Sequence, residues 1–153
     1  MKTNTLKFVI ACAVAGAFQI TTPVLAQAPA PDKALAAAAK EPGAKVTPSG
    51  LVILMVKEGN GTQPTASSTV RVHYRGMFPD GREFDSSYSR GEPIEFPLTG
   101  VIKCWTEGVA LMKVGGAAKL TCPSSIAYGA RGAGGAIPPN ATLVFEVALL
   151  GVR

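Results

Sequence analysis

Residues 70–77, VRVHYRGM, alternate without a break: Val70, Val72 and Tyr74 fall on one side, and Arg71, His73 and Arg75 on the other. A period of two predicts a strand with one face buried and one solvated. The strand runs into Pro79-Asp80-Gly81, a turn signal that sends the chain back on itself. A short aromatic-acidic run, Phe84-Asp85, follows. Residues 51–56, 94–98 and 117–122 read as further strands. Residues 142–150 give the strongest of all, with Leu143, Phe145, Val147 and Leu149 on one face.

One segment departs from this rhythm. Ile102, Trp105, Val109 and Met112 recur at steps of three and four, which predicts a short helix with one apolar stripe. Gly115-Gly116 lies just beyond, where such a helix and its connection should stop. A sheet and a helix must bury their apolar surfaces against each other. The fold expected is α+β: a curved antiparallel sheet, half a barrel of about five to six strands, wrapped around one short α-helix.

Residues 1–26 stand apart from that domain. Lys2 and Lys7 make a basic start, residues 8–18 are mostly apolar, and Val24-Leu25-Ala26 offers small residues for cleavage. This is the layout of a secretory signal peptide, and the apolar run is short of the roughly 20 residues a membrane span needs. Residues 27–46 are biased in Ala and Pro: the Ala-rich centre can turn helical, but such a helix is marginal in water, and the prolines at 29, 31 and 42 favour an extended linker. The folded domain is expected over 47–153, a length that suffices for a single core.

Charge and residue types exclude much. Loss of Lys2 and Lys7 lowers the net charge from +5 to +3, and the remaining basic residues are scattered. No basic patch interleaved with aromatics points to nucleic acid. The lone histidine, His73, lies on the polar side of its strand, so neither a metal site nor a Ser-His-Asp triad is expected. The run GARGAGG at 129–135 lacks the Lys-Ser/Thr ending of a phosphate loop and reads as a flexible loop. Of three cysteines, Cys12 leaves with the signal peptide. Cys104 and Cys122 remain, either as a disulfide in an oxidising compartment or as two small buried side chains. Their spacing is not that of a redox pair. What is left is aromatic: Tyr74, Phe84, Phe96, Trp105, Tyr128 and Phe145. On spacing alone these six form a core.

Several motifs in order change that reading. VHYRGMFPDGREFDSS at 72–87, CWTEG at 104–108, AYG from Ala127, IPP from Ile137 and TLVF from Thr142 resemble the FKBP-type peptidyl-prolyl cis-trans isomerases, the macrolide-binding immunophilins. The resemblance covers roughly residue 48 to the C-terminus. It implies a proline pocket floored by Trp105, walled by Tyr74, Phe84 and Asp85, and completed by Phe145, Tyr128, Val101 and Ile102. Phe96 and Ile94 join the binding surface, and Ile137 matches a rim position. Tyr128 would donate to the substrate backbone, and Asp85 would either orient Tyr74, favour the twisted amide, or cap the preceding turn.

The chain departs from the family pattern at Ile94, where many members carry an aromatic, at Ala133, and at Cys104, which replaces a common glycine. Cys104 is placed just before the helix and Cys122 in a neighbouring strand of the family fold, so the two could pair. The activity implied is isomerisation of X-Pro bonds during folding of exported proteins, in the periplasm or outside the cell. It needs no metal, cofactor, nucleic acid or, after cleavage, membrane. The partners implied are proline-containing polypeptides and inhibitors of the rapamycin type, and the Ala-Pro segment is too short for a dimerisation region, which favours a monomer.

Overall fold

A computed structural model describes residues 31–153. Their elements run α1 (Pro31–Ala39), β1 (Ala44–Val46), β2 (Val52–Lys57), β3 (Thr69–Met77), β4 (Glu83–Ser86), α2 (Ser87–Arg90), β5 (Ile94–Pro97), α3 (Lys103–Ala110), β6 (Ala117–Cys122) and β7 (Leu143–Val152). The strands form one antiparallel sheet in the order β1-β2-β6-β7-β3-β4, with β5 also paired to β3. Among the described residues seven strands are present where five to six were expected, because the three-residue β1 and four-residue β4 are too short to show a period. The α+β architecture stands, with three short helices among the described residues rather than one.

The alternation in β3 and β7 translates directly into burial. Val70, Val72 and Tyr74 on β3 and Leu143, Phe145, Val147 and Leu149 on β7 are all buried. They meet Leu120 and Ala118 of β6 and Trp105 and Val109 of α3 in a single core. Gly108 lets α3 approach the sheet closely: a Cβ there would lie 2.8 Å from Leu120. The Asp80-Gly81 turn forms as expected, with Gly81 at φ 90° and the Arg82 amide donating to Asp80 Oδ1 at 3.0 Å.

The expectation of an extended linker over 27–46 differs from residue 31 onward. Pro31–Ala39 is helical and Ala44–Val46 pairs with β2. An Ala-rich helix of this length is marginal alone, so tertiary contacts hold it. Ala38 is buried, and the Lys119 ammonium on β6 meets Glu41 at 2.6 Å. The signal peptide expected over 1–26 lies outside the described residues. No helix among the described residues is long and apolar enough to cross a membrane.

The glycine-rich stretch carries a set of backbone hydrogen bonds of its own. Gly132 N–H donates to Tyr128 O, the Ala133 and Ile137 amides donate to each other's carbonyls, and Asn140 N–H donates to Gly129 O at 2.8 Å. Gly132, at φ 65°, must be glycine, because a Cβ would lie 2.2 Å from the Ile137 carbonyl oxygen.

Candidate active site

A cleft of about 310 Å³ opens where the start of α3 meets β3, β4 and β5. It is lined by Tyr74, Phe84, Asp85, Ile94, Phe96, Gly100, Val101, Ile102, Trp105, Tyr128 and Phe145. Ten residues singled out in the sequence therefore converge. Ile137 is not among the lining residues: it is 5% exposed and packed in the core, with its backbone bridged to Ala133. Gly100 was missed, having no side chain to attract notice.

Trp105 is the base on which the other rings stand. It is only 5% exposed and meets Tyr74, Phe96 and Phe145 edge-on, with centroids 5.2, 5.2 and 5.4 Å away. Such edge-to-face pairs add about 0.5–1.5 kcal/mol each beyond their buried area. Phe84 closes one wall against Phe145 at 5.7 Å and is backed by Phe78 at 5.2 Å. Tyr128 is the exposed member, at 38%.

Gly76 makes room for the wall. It sits in β3 between Asp85 of β4 and Phe145 of β7. A Cβ there would lie 2.7 Å from the Phe84 ring and 3.1 Å from Phe145. Gly76→Ala should displace Phe84 and cost about 1–3 kcal/mol by overpacking. Chemical denaturation checks the cost, and an unchanged midpoint would show that the ring gives way freely.

Among the described residues, Asp85 is the one charged residue lining the cleft. Its carboxylate accepts from the Tyr74 hydroxyl, from Arg90 Nη1 at 2.6 Å and from the Ser86 amide at 2.9 Å. Arg90 Nη2 also donates to Tyr74 Oη at 3.0 Å, so three side chains close a ring of hydrogen bonds. The Tyr74 hydroxyl is thus held by Asp85 and Arg90 together. Arg90 could not be read from the sequence, since it reaches Asp85 only through the four-residue α2. That turn is capped by Ser86, which accepts from Ser89 N–H, and by Gly91 at φ 74°. The buried Ser87 hydroxyl ties α2 to β3, accepting from Tyr74 N–H at 2.8 Å.

The electrostatics follow from these contacts. Burial, then the Asp85 hydrogen bond, pushes the Tyr74 hydroxyl above its ordinary range and keeps it a donor. Burial alone would push the Asp85 carboxyl up, but Tyr74, Arg90 and the Ser86 amide outweigh it and hold the group below its ordinary value of 3.8. A depressed carboxyl contributes stability that is complete above its unfolded value and is lost as pH falls through the folded one. Arg90→Met removes two of the lowering causes. The Asp85 titration should then move up in pH, and the acid limb of stability with it. Carbon NMR of the Asp85 carboxyl checks this, and an unmoved titration would remove Arg90 from the account.

Cys104 and Cys122 form a disulfide with Cα atoms 5.9 Å apart. Cys104 is the second residue of α3, not a residue ahead of it.

Comparison with known proteins decides the family. The model for the FKBP-type peptidyl-prolyl cis-trans isomerases matches residues 60–150, more than half of the chain. The chain belongs to this family. Among FKBP-type relatives, FkpA of Escherichia coli (strain K12) is 53% identical over 115 residues, which is 75% of this chain and 42% of that protein. FK506-binding protein 1 of Dictyostelium discoideum is 55% identical over 103 residues, covering 66% of this chain and 96% of that one. The crystal structure of FkpA from Escherichia coli superposes with a TM-score of 0.78 at 49% identity, over 80% of this chain and 57% of that chain. This FKBP-type chain thus spans less than half the length of the FkpA sequence it matches.

Proposed function

We propose that this chain is a peptidyl-prolyl cis-trans isomerase that accelerates X-Pro rotation in exported polypeptides. The supporting observation is the cleft itself: three aromatic rings packed edge-on against a buried indole, a fourth on the wall beside them, and a carboxylate at the edge. X-Pro rotation is slow because amide resonance must be broken, a barrier of about 18–20 kcal/mol. Water solvates the planar, polar amide better than the twisted form, so a dry aromatic cleft penalises the ground state more than the transition state. A thousandfold acceleration asks for only about 4 kcal/mol of that difference. No covalent intermediate is required.

In this reading the prolyl ring rests on Trp105 between Tyr74, Phe84 and Phe145, while Phe96, Val101, Ile102 and Ile94 hold the flanking backbone. Tyr128 donates a hydrogen bond to the substrate, and Asp85 fixes Tyr74 through its hydroxyl. The leader-like layout of 1–26 and the disulfide support an exported protein working in the periplasm. A monomer that takes unfolded proline-containing clients, and is blocked by a macrolide of the rapamycin type, completes the proposal.

Phe84→Ala, Asp85→Ala and Tyr128→Phe should each slow isomerisation of a proline-containing peptide by about tenfold or more while the domain stays folded. Wild-type turnover in all three would refute the site. A rapamycin-type ligand should compete with the peptide. Suppression of aggregation without any acceleration would instead identify a binding module that uses the same cleft.

A further inference from the structure

We propose that the Cys104–Cys122 disulfide is a positioning element of the cleft, holding its floor where a prolyl ring must meet it. The inference rests on the isomerase reading above. Residues 100–105 supply Gly100, Val101, Ile102 and Trp105 to the cleft, so the whole floor depends on where α3 begins. That start has little support of its own. The residue capping it is Ile102, which has no side-chain oxygen to satisfy the free amides. The first turn carries no acidic residue, and Lys103 brings a positive charge to the positive end of the helix dipole. Eight residues with Gly108 among them form too short a helix to stand alone.

The disulfide supplies what the cap does not. Cys104 lies in that first turn, next to Trp105, and its partner Cys122 is the last residue of β6. β6 is an interior strand, paired to β2 on one side and β7 on the other. Both cysteines are fully buried, so the bond joins the floor to an interior strand of the sheet. Nearest the floor, the Thr106 hydroxyl donates to Leu98 O at 2.6 Å and Trp105 packs on its three rings, while Ser49 and Gln63 hold the far end of α3 through Glu107 and the Ala110 carbonyl. A residue that acts only on stability would not move Trp105 in the folded state; a positioning residue would.

Trp105 is the chain's one tryptophan and reports on itself. Cys104→Ala/Cys122→Ala is compared with the oxidised wild type at a temperature where far-UV circular dichroism shows both folded. Trp105 emission should shift to the red and become more open to acrylamide quenching. The kcat/KM for a prolyl peptide should fall about tenfold, mainly through KM. A folded variant with a lower melting temperature but wild-type emission, quenching and KM overturns the proposal. If the wild type shows no isomerase activity, the enzymatic reading fails, while emission and quenching still decide whether the bond places the floor.

Should the variant not fold, hydrogen exchange in the oxidised wild type decides. The Trp105 and Thr106 amides donate to Ile102 O at 3.0 and 3.2 Å. They should exchange as slowly as those of β7, and exchange at loop rates overturns the proposal.

Discussion

Trp105→Ala should destabilise the domain by about 3–5 kcal/mol and abolish the cleft with it. The indole is 5% exposed and packs edge-on against three rings drawn from β3, β5 and β7. Deleting it removes its transfer free energy, leaves a cavity, and strips each neighbour of its partner. A small domain has only about 5–15 kcal/mol in all, so the loss approaches the whole. In urea the midpoint should fall with little change in slope, since the surface exposed on unfolding is nearly the same. Trp105→Phe keeps a ring on the floor and should recover much of the stability. A midpoint that barely moves in Trp105→Ala would mean that the rings support one another without it.

Loss of the disulfide should have the next largest effect, about 3 kcal/mol from the chain-entropy relation. The two cysteines are 18 residues apart, so the bond closes a modest loop in the unfolded chain. Replacing both by Ala also removes two buried sulfurs, which adds to the cost. For a domain of this size the melting temperature should drop by roughly 10–15 °C. Calorimetry of the oxidised protein against Cys104→Ala/Cys122→Ala checks it. Equal melting temperatures would show that the bond is energetically idle. Stability and position are separate properties of this bond, which is why Trp105 emission must be read below the melting range of both forms.

The sequence discloses the sheet because burial in β3 and β7 has a period of two, and each residue's neighbour on the same strand is enough to reveal it. It discloses α3 for the same reason at a period near 3.6. It hides α1 and β1, whose order comes from partners far along the chain: Glu41 needs Lys119, 78 positions away. It hides Arg90 as well, because only the tight α2 turn brings the guanidinium back to Asp85. The cleft is an intermediate case. Six scattered aromatics spell a core, and the family motifs are what turn ten of the residues named into one surface. Ile137 is packed in the core, and its place at the rim rests on the family motif alone.

Cis-trans exchange of a proline-containing peptide, followed by NMR exchange spectroscopy with catalytic amounts of protein, tests the cleft most directly. The wild type should accelerate exchange by orders of magnitude, Phe84→Ala and Asp85→Ala should lose most of that acceleration while keeping wild-type circular dichroism, and a rapamycin-type macrolide should suppress it. Acceleration that survives both substitutions, or peptide binding with no acceleration at all, would contradict the claim that this ring of aromatics eases prolyl rotation.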